Sequence, residues 1–422
     1  MTLKLTSSIK YFIFLIILTS SISTSAKNYM EKNNSDSILI NYLNEYHIQT
    51  TTNNDVQLIK SGHEKFVHLF KDIENAKHHI HLEYFNFRND SIANTLFDLL
   101  AKKAEEGVEV RAVFDAFGNW SNNKPLRKRH LKALREKGIQ IEKFDPITFP
   151  WIDHVFHRDH RKIAVIDGRI GYTGGMNIAD YYIKGLPNIG DWRDMHVRIT
   201  GNAVNDLQNI FLGMWEKCTK QTITGTAYYP SNDTVVANNQ GKEIAIVDRY
   251  PRRTPKTMRR VYAKAIESAE KKVQIINPYF TPTKIITKAI KKAIENGVEV
   301  EIMISGKSDI KFTPDATLYI ANKLRKKGAN IYIYNGGFHH SKILMIDSLY
   351  CTVGSTNLNS RSLRYDYEVN AFIFNEETTS DMMKIFDTDK KDCTLLTSEI
   401  YKERSAWKKF VGWFAHLFTP FL

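Results

Sequence analysis

Apolar positions along this chain change period in a repeating order. IANTLFDLLAKKAEEG, from Ile92 to Gly107, carries apolar residues at helical spacing and closes on a glycine stop. VEVRAVFD follows, rich in β-branched residues, and reads as a buried strand. LKALREKGIQIEKF then gives a second helix, glycine and strand, and the apolar run KIAVID gives a third strand. The same order returns as KKAIENGVEVEIMIS, ANKLRKKGANIYIY and KILMID. Gly107 is as far from Gly297 as Gly138 is from Gly328, so the two copies stay in register. Only the first copy holds extra residues between Gly138 and His160. They include Pro146, Pro150 and several aromatics, which predicts a loop near whatever the following motif does. Alternating helices and strands predict an α/β fold with two tandem units, each a sheet flanked by helices, related by a pseudo-two-fold axis. The polar, turn-rich stretch 221–243 is the expected linker.

The strongest repeat follows the third strand. HRKIAVIDGRIGYTGGMN starts at His160, and HSKILMIDSLYCTVGSTN starts at His340. A two-residue offset puts His160 and Lys162 on one face of a strand, and likewise His340 and Lys342. Asp167 and Asp347 stand at an odd offset, on the other face or in the turn, which favours a structural part for them within the candidate catalytic set. Gly174-Gly175 and Gly354-Ser355 allow close backbone approach. Asn177 and Asn357 carry neutral amides that can donate to a phosphate oxygen, and Ser355 joins them as a phosphate-binding candidate.

Brought together, two histidines, two lysines and two asparagines suit a phosphodiester. The lysines and asparagines meet the nonbridging oxygens. One imidazole attacks phosphorus to give a phosphohistidine, and the other exchanges a proton with the leaving and entering alcohols. This scheme calls for no metal and no cofactor. Glu368, in RSLRYDYEVN, and Asp194, in GDWRDMHVRI, are the candidates for orienting the rings.

These motifs resemble the phospholipase D superfamily, whose signature is HxKxxxxD followed by a glycine-rich turn and an asparagine. The closer resemblance is to bacterial cardiolipin synthases, through DHRKIAVIDGRIGYTGGMNIADYY, GDWRDMHVRITGNAVNDLQNIFLGMW, INPYFTPT and HHSKILMIDSLYCTVGSTNLNSRSL, and it runs from Val56 to Leu422. The resemblance implies two phospholipase D-like units, each a mixed sheet. It also implies transfer of a phosphatidyl group between two phosphatidylglycerols to give cardiolipin and glycerol, with His160 as nucleophile and His340 as acid and base. The alternative with the same groups is hydrolysis of phospholipid or nucleic acid. A lipid-binding protein without catalysis is a third reading, weakened by the complete reactive set. The chain departs from the family at its start, where many members carry two spanning helices and this one has a single short apolar run.

Composition refines this picture. The chain has 422 residues, 59 Lys plus Arg against 46 Asp plus Glu, and a formal net charge of +13. That excess favours an anionic partner. Anionic phospholipid and a membrane surface are expected, and nucleic acid is not. Lys4 and Lys10, the apolar run YFIFLIIL and Thr24-Ser25-Ala26 form an export pattern. They place the chain at the cell membrane, exported or anchored through that segment. The expected order is therefore signal or anchor 1–26, lead segment 27–55, unit one 56–220, linker 221–243, unit two 244–395 and an amphipathic tail 396–422. Three scattered cysteines, Cys218, Cys351 and Cys393, argue against a disulfide framework or a zinc site, and Cys351 reads as a buried thiol.

In the tail, Trp407, Phe410, Val411, Phe414, Leu417 and Phe418 share a helical face beside Lys408 and Lys409. That face suits either a membrane interface or docking on the chain's own domain. His78, His79 and His81 alternate as on a strand, without the carboxylate or cysteine spacing of a metal site. Glu83 on the same strand suits a buried structural carboxylate or a group turned into the site. His154, His157 and His339 read as loop neighbours of the motifs. The basic stretch Arg249 to Arg260 reads as a solvated helix entrance or an anion-holding cluster.

Overall fold

The glycine pairs that mark the register are helix ends. Gly107 and Gly297 take φ of +88° and +83°, where side chains with a Cβ are rare, just beyond helices Ser91–Glu105 and Lys284–Glu295. In this computed structural model the described residues are 34–146, 156–231, 241–310 and 313–418. The first repeat contributes β1 (Thr51–Ile59), β2 (His79–Tyr84), β3 (Glu109–Asp115), β4 (Gln140–Phe144), β5 (Lys162–Ile166), β6 (Ile170–Gly174), β7 (Asp191–Arg193) and β8 (His196–Gly201). The second contributes β9 (Lys242–Arg249), β10 (Lys272–Ile276), β11 (Glu299–Ser305), β12 (Asn330–Tyr334), β13 (Gly337–His339), β14 (Ile343–Ile346), β15 (Tyr350–Gly354), β16 (Glu368–Phe374) and β17 (Cys393–Leu395).

Fifteen of these form one mixed sheet. Outward from its centre, one half runs β1-β8-β6-β5-β2-β3-β4 and the other β9-β16-β15-β14-β10-β11-β12, with β17 added at the edge. β1 and β9 pair antiparallel at the seam, so the halves are related by a pseudo-two-fold axis. In each half the outer three strands of the repeat are parallel, joined by the crossover helices that the sequence places there.

Packing fixes how the halves meet. Ala164 and Ile166 of β5 enter a core shared with Leu96 and Leu100 of the first repeat. Ile163 and Val165, on the other face, join Ile343, Met345, Cys351 and Val369 in a core that both repeats build. β6 also touches β15 and β16. The two motif strands are thus held against each other by buried apolar surface, which contributes about 25 cal/mol for each Å² removed from water. Cys351 is the buried thiol expected. The lead segment includes helix Ser35–Glu45, whose Leu39 and Leu43 pack with Val261 and Ile266 of the second repeat.

The C-terminal helix Ala406–Leu417 docks on helix Thr313–Arg325 through its small residues. Gly412 and Ala415 are buried there, and a Cβ at Gly412 would come within 2.5 Å of the Asp315 carbonyl oxygen. Trp407, Phe410, Trp413, Phe414, Leu417 and Phe418 face outward. The helix therefore docks on its own domain, but not by its large apolar residues.

The placement of the chain at the cell membrane through its N-terminal segment is corrected. Among the described residues no helix is long and apolar enough to cross a membrane. The run from Tyr11 to Leu18 lies outside the described residues, and it falls well short of the roughly 20 apolar residues a span requires.

Candidate active site

Each motif histidine is seated by the opposite repeat. The His160 N–H donates to the Tyr367 carbonyl at 3.1 Å, and the His340 N–H donates to the Arg193 carbonyl at 2.6 Å. Those carbonyls belong to the residues just before Glu368 and Asp194. The small β7–β13 ribbon fixes one of these contacts, pairing His339 with Arg193, and the bridge between Asp159 and Tyr367 is its counterpart for the other. The carboxylates consequently arrive behind the rings. Glu368 oxygens lie 3.1 and 3.2 Å from His160 Nδ1, and Asp194 Oδ2 lies 2.7 Å from His340 Nδ1. Both carboxylates are fully buried. With Nδ1 tied to a carboxylate, Nε2 is the ring atom left for chemistry.

The two supports differ in a way the sequence records. Ser355 donates its hydroxyl to Glu368 and accepts from the Val369 N–H at 3.0 Å. It is fully buried, and its hydroxyl is committed to the carboxylate. At the matching place in the first repeat stands Gly175, where a Cβ would lie 2.2 Å from Asp194 Oδ1. The shorter aspartate sits where a serine side chain would otherwise be.

Both histidines line one cleft of about 460 Å³, together with Asn177, Tyr181, Trp192 and Arg88. A second recess of about 510 Å³ is lined by His160 and Asn357, with Phe117, Ile310 and Ala316. Asn177 and Asn357 are each 5% exposed, and the amide oxygen of each has no partner among the described residues. Lys162 and Lys342 lie buried next to their histidines, each donating to the histidine carbonyl. Lys342 Nζ is also 2.8 and 3.0 Å from the two ring nitrogens of His340. Asp167 and Asp347 stand at the far ends of the motif strands. Asp167 accepts from the N–H groups of Lys77, His78 and His79, and Asp347 from those of Glu270, Lys271 and Lys272. Each ties the start of the neighbouring strand to the motif turn.

Burial dominates the electrostatics. It pushes His160 down, with the Lys162 charge adding to it, and it pushes His340 down to about 4, helped by Lys342. Both rings are therefore neutral at pH 7 in the free site. Burial also lowers Lys162 to about 7 and Lys342 to about 8. Burial works against the charges of Asp194 and Glu368, but the lysine and histidine facing each of them outweigh it and hold both below the ordinary carboxylate range. Lys342 is the largest such influence on Asp194, and His160 on Glu368.

Other candidates fall elsewhere. His79 and His81 are buried, and both contact Gln208. Glu83 is buried against Arg161 at 2.7 Å. Arg161 also binds Asp159 and, across the repeat boundary, Asp248. His339 is buried and bonded to Asp389, and His154 lies outside the described residues. His157 borders a small recess with Lys217 and Arg252. Arg249 is buried and donates to the Asp366 carbonyl. Sequence reading did not single out Arg88, Trp192, Tyr279 or Asp309, which line the cleft. It also missed Lys65, wholly buried, which donates to the carbonyls of Met176 and Asn177 and so holds the asparagine loop.

Residues 69–215 and 262–390 match the family described as cardiolipin synthase, PLD-like domain. The chain belongs to this family. It is 37% identical over 373 residues to a cardiolipin synthase of Oceanobacillus iheyensis, covering 88% of this chain and 76% of that one. It is 39% identical over 375 residues to cardiolipin synthase 2 of Staphylococcus epidermidis, covering 88% and 75%. Among solved structures, the phosphatidylserine synthase of Haemophilus influenzae aligns with a TM-score of 0.69 at 16% identity, over 90% of this chain and 99% of that one. At that identity the likeness speaks for the fold alone.

Proposed function

We propose that the protein is a phosphatidyltransferase that converts two phosphatidylglycerols into cardiolipin and glycerol. The observation that carries this reading is the pair of motif histidines on one cleft, each backed by a buried carboxylate of the other repeat. His160 Nε2 attacks phosphorus, the bond to the glycerol oxygen breaks, and His340 gives that oxygen a proton. The acceptor hydroxyl then attacks phosphorus, the P–N bond breaks, and His340 recovers the proton. Lys162, Lys342, Asn177 and Asn357 face the nonbridging oxygens. The bound phosphodiester anion favours the imidazolium that the free site disfavours, so substrate binding arms the acid. Family membership and the named relatives support the choice of lipid over nucleic acid.

The lipid partner reaches the site from a membrane surface. Helix Ala406–Leu417 turns Trp407, Phe410 and Phe414 outward beside Lys408 and Lys409, a face suited to anionic headgroups. Purified protein is offered phosphatidylglycerol vesicles and, separately, DNA, and the products are read by mass spectrometry. Cardiolipin and glycerol in equal amounts are expected. Phosphatidic acid alone, or cut DNA, overturns the reading.

A further inference from the structure

The two arms of the cleft are not equivalent. His160, Phe85, Tyr279 and Asp309 border both, so the arms meet at the ring assigned as nucleophile, but His340 borders only the smaller one. Because the chain is a repeat, matching positions face the two arms. β2 pairs Ile80 with Ile166, and β10 pairs Val273 with Ile346. That register makes Arg88 the counterpart of Thr281. Arg88 lines the His340 arm and Thr281 the other.

Among the described residues, the His340 arm is lined by unpartnered polar atoms and a cation. Asn86 and Trp192 are 7% and 8% exposed, and Asn86 Oδ1 and Trp192 Nε1 have no partner among the described residues. The Arg88 guanidinium lies over the Tyr181 ring at 5.5 Å, Tyr181 packs on Trp192 at 4.4 Å, and Trp192 packs on His340 at 5.3 Å. This row of rings sets a cation at a fixed remove from the acid/base. Asp90 lies 3.7 Å from Arg88 Nε and anchors that end of the fork. Asp309, the other carboxylate on the arm, is engaged by the Tyr279 hydroxyl at 2.5 Å. The opposite arm has Phe117, Ile310 and Ala316 on its wall, and the cation that borders it, Arg361, is paired with Asp366 at 3.2 Å.

Chemistry assigns the contents. A leaving group departs opposite the nucleophile, hence toward His340, and the acceptor oxygen enters by the same path. Close to the attacking hydroxyl, an acceptor lipid is distinguished from free glycerol or water by its own phosphate a few bonds away. We propose that the His340 arm holds the acceptor phosphatidylglycerol, with Arg88 binding the acceptor's phosphate, while the apolar arm holds the diacylglycerol part of the phosphatidyl group on His160. This rests on the phosphatidyltransferase reading. In the step concerned the acceptor O–P bond forms, the His160 N–P bond breaks, and the hydroxyl proton passes to His340. Arg88 selects the lipid acceptor over alcohols that lack a phosphate.

The test splits one intermediate between two acceptors. Phosphatidylglycerol vesicles with added n-butanol yield cardiolipin and phosphatidylbutanol from the same phosphatidyl-enzyme. In Arg88→Gln the cardiolipin-to-phosphatidylbutanol ratio falls about tenfold, the loss expected for one charge-assisted contact. Arg88→Lys restores much of it. If the glutamine variant fails to fold, Arg88→Lys carries the test alone, with a smaller shift in the same direction because the fork is lost and the charge kept. An unchanged ratio, or equal loss of both products, overturns the assignment. Wild-type protein that makes phosphatidylbutanol but no cardiolipin overturns the proposed conversion of two phosphatidylglycerols into cardiolipin, independently of Arg88.

Discussion

Replacing Asp194 by asparagine removes one charge with almost no change in shape. The carboxylate is wholly buried, 2.7 Å from His340 Nδ1, and its other oxygen accepts from the Met195 N–H at 2.7 Å. When His340 becomes imidazolium, the lost interaction is a charge-assisted hydrogen bond, about 1.5–3 kcal/mol. Loss of the wider field on Lys342 and the ring brings the total to about 3–4 kcal/mol, since two charges 4 Å apart at an effective dielectric of about 20 interact by about 4 kcal/mol. At 1.36 kcal/mol per decade, kcat on phosphatidylglycerol falls about 10²–10³-fold. The assay pairs that substrate with a phosphatidyl ester of p-nitrophenol, whose leaving group needs no proton. With the nitrophenyl ester, Asp194→Asn gives a burst of nitrophenol equal to the enzyme, and turnover stays slow because His340 is still needed as base. A variant equally slow in the burst places Asp194 outside acid catalysis, and a variant with normal kcat refutes the reasoning altogether.

Gly175→Ala places a Cβ 2.2 Å from Asp194 Oδ1, so kcat falls at least about tenfold while circular dichroism is unchanged; normal kcat would show the carboxylate free to move. Lys162 and Lys342, lowered to about 7 and 8, lose protons between about pH 7 and 9 in the free protein, so KM for phosphatidylglycerol rises over that range. Because the unfolded chain holds those protons up to about 10.5, the same two groups make unfolding free energy rise with pH in that window. KM and denaturant midpoint rising together with pH are the expected signature, reduced in Lys162→Met. Trp407→Ser with Phe410→Ser and Phe414→Ser lowers binding to phosphatidylglycerol vesicles at least about tenfold in co-sedimentation, with the melting temperature kept. Unchanged sedimentation would remove the helix from lipid contact.

The repeat made the fold legible. Glycines at matched intervals marked helix ends, and two identical motif frames implied two related half-sheets. The groups proposed to meet a phosphate were also readable as candidates, because their chemistry is written in the motif. What the sequence hid is which carboxylate serves which ring. Glu368 reaches His160 and Asp194 reaches His340 only because β1 pairs with β9 and the ring backbones bond across the repeats. No local pattern encodes that exchange. Arg88 escaped for the opposite reason: its counterpart is Thr281, so the repeat that highlighted the histidines was silent there. The C-terminal helix was read by its large residues, yet it docks by Gly412 and Ala415, because only small residues let two helix backbones approach closely.

In the proposed cycle His160 carries the phosphatidyl group while His340 moves the proton. Rapid quench of His340→Ala with a p-nitrophenyl phosphatidyl ester, followed by peptide mass mapping, tests it most directly. A phosphatidyl adduct on the His160 peptide is expected, accumulating because its resolution lacks a base. An adduct on any other residue of the protein, or none at all beside released nitrophenol, contradicts it.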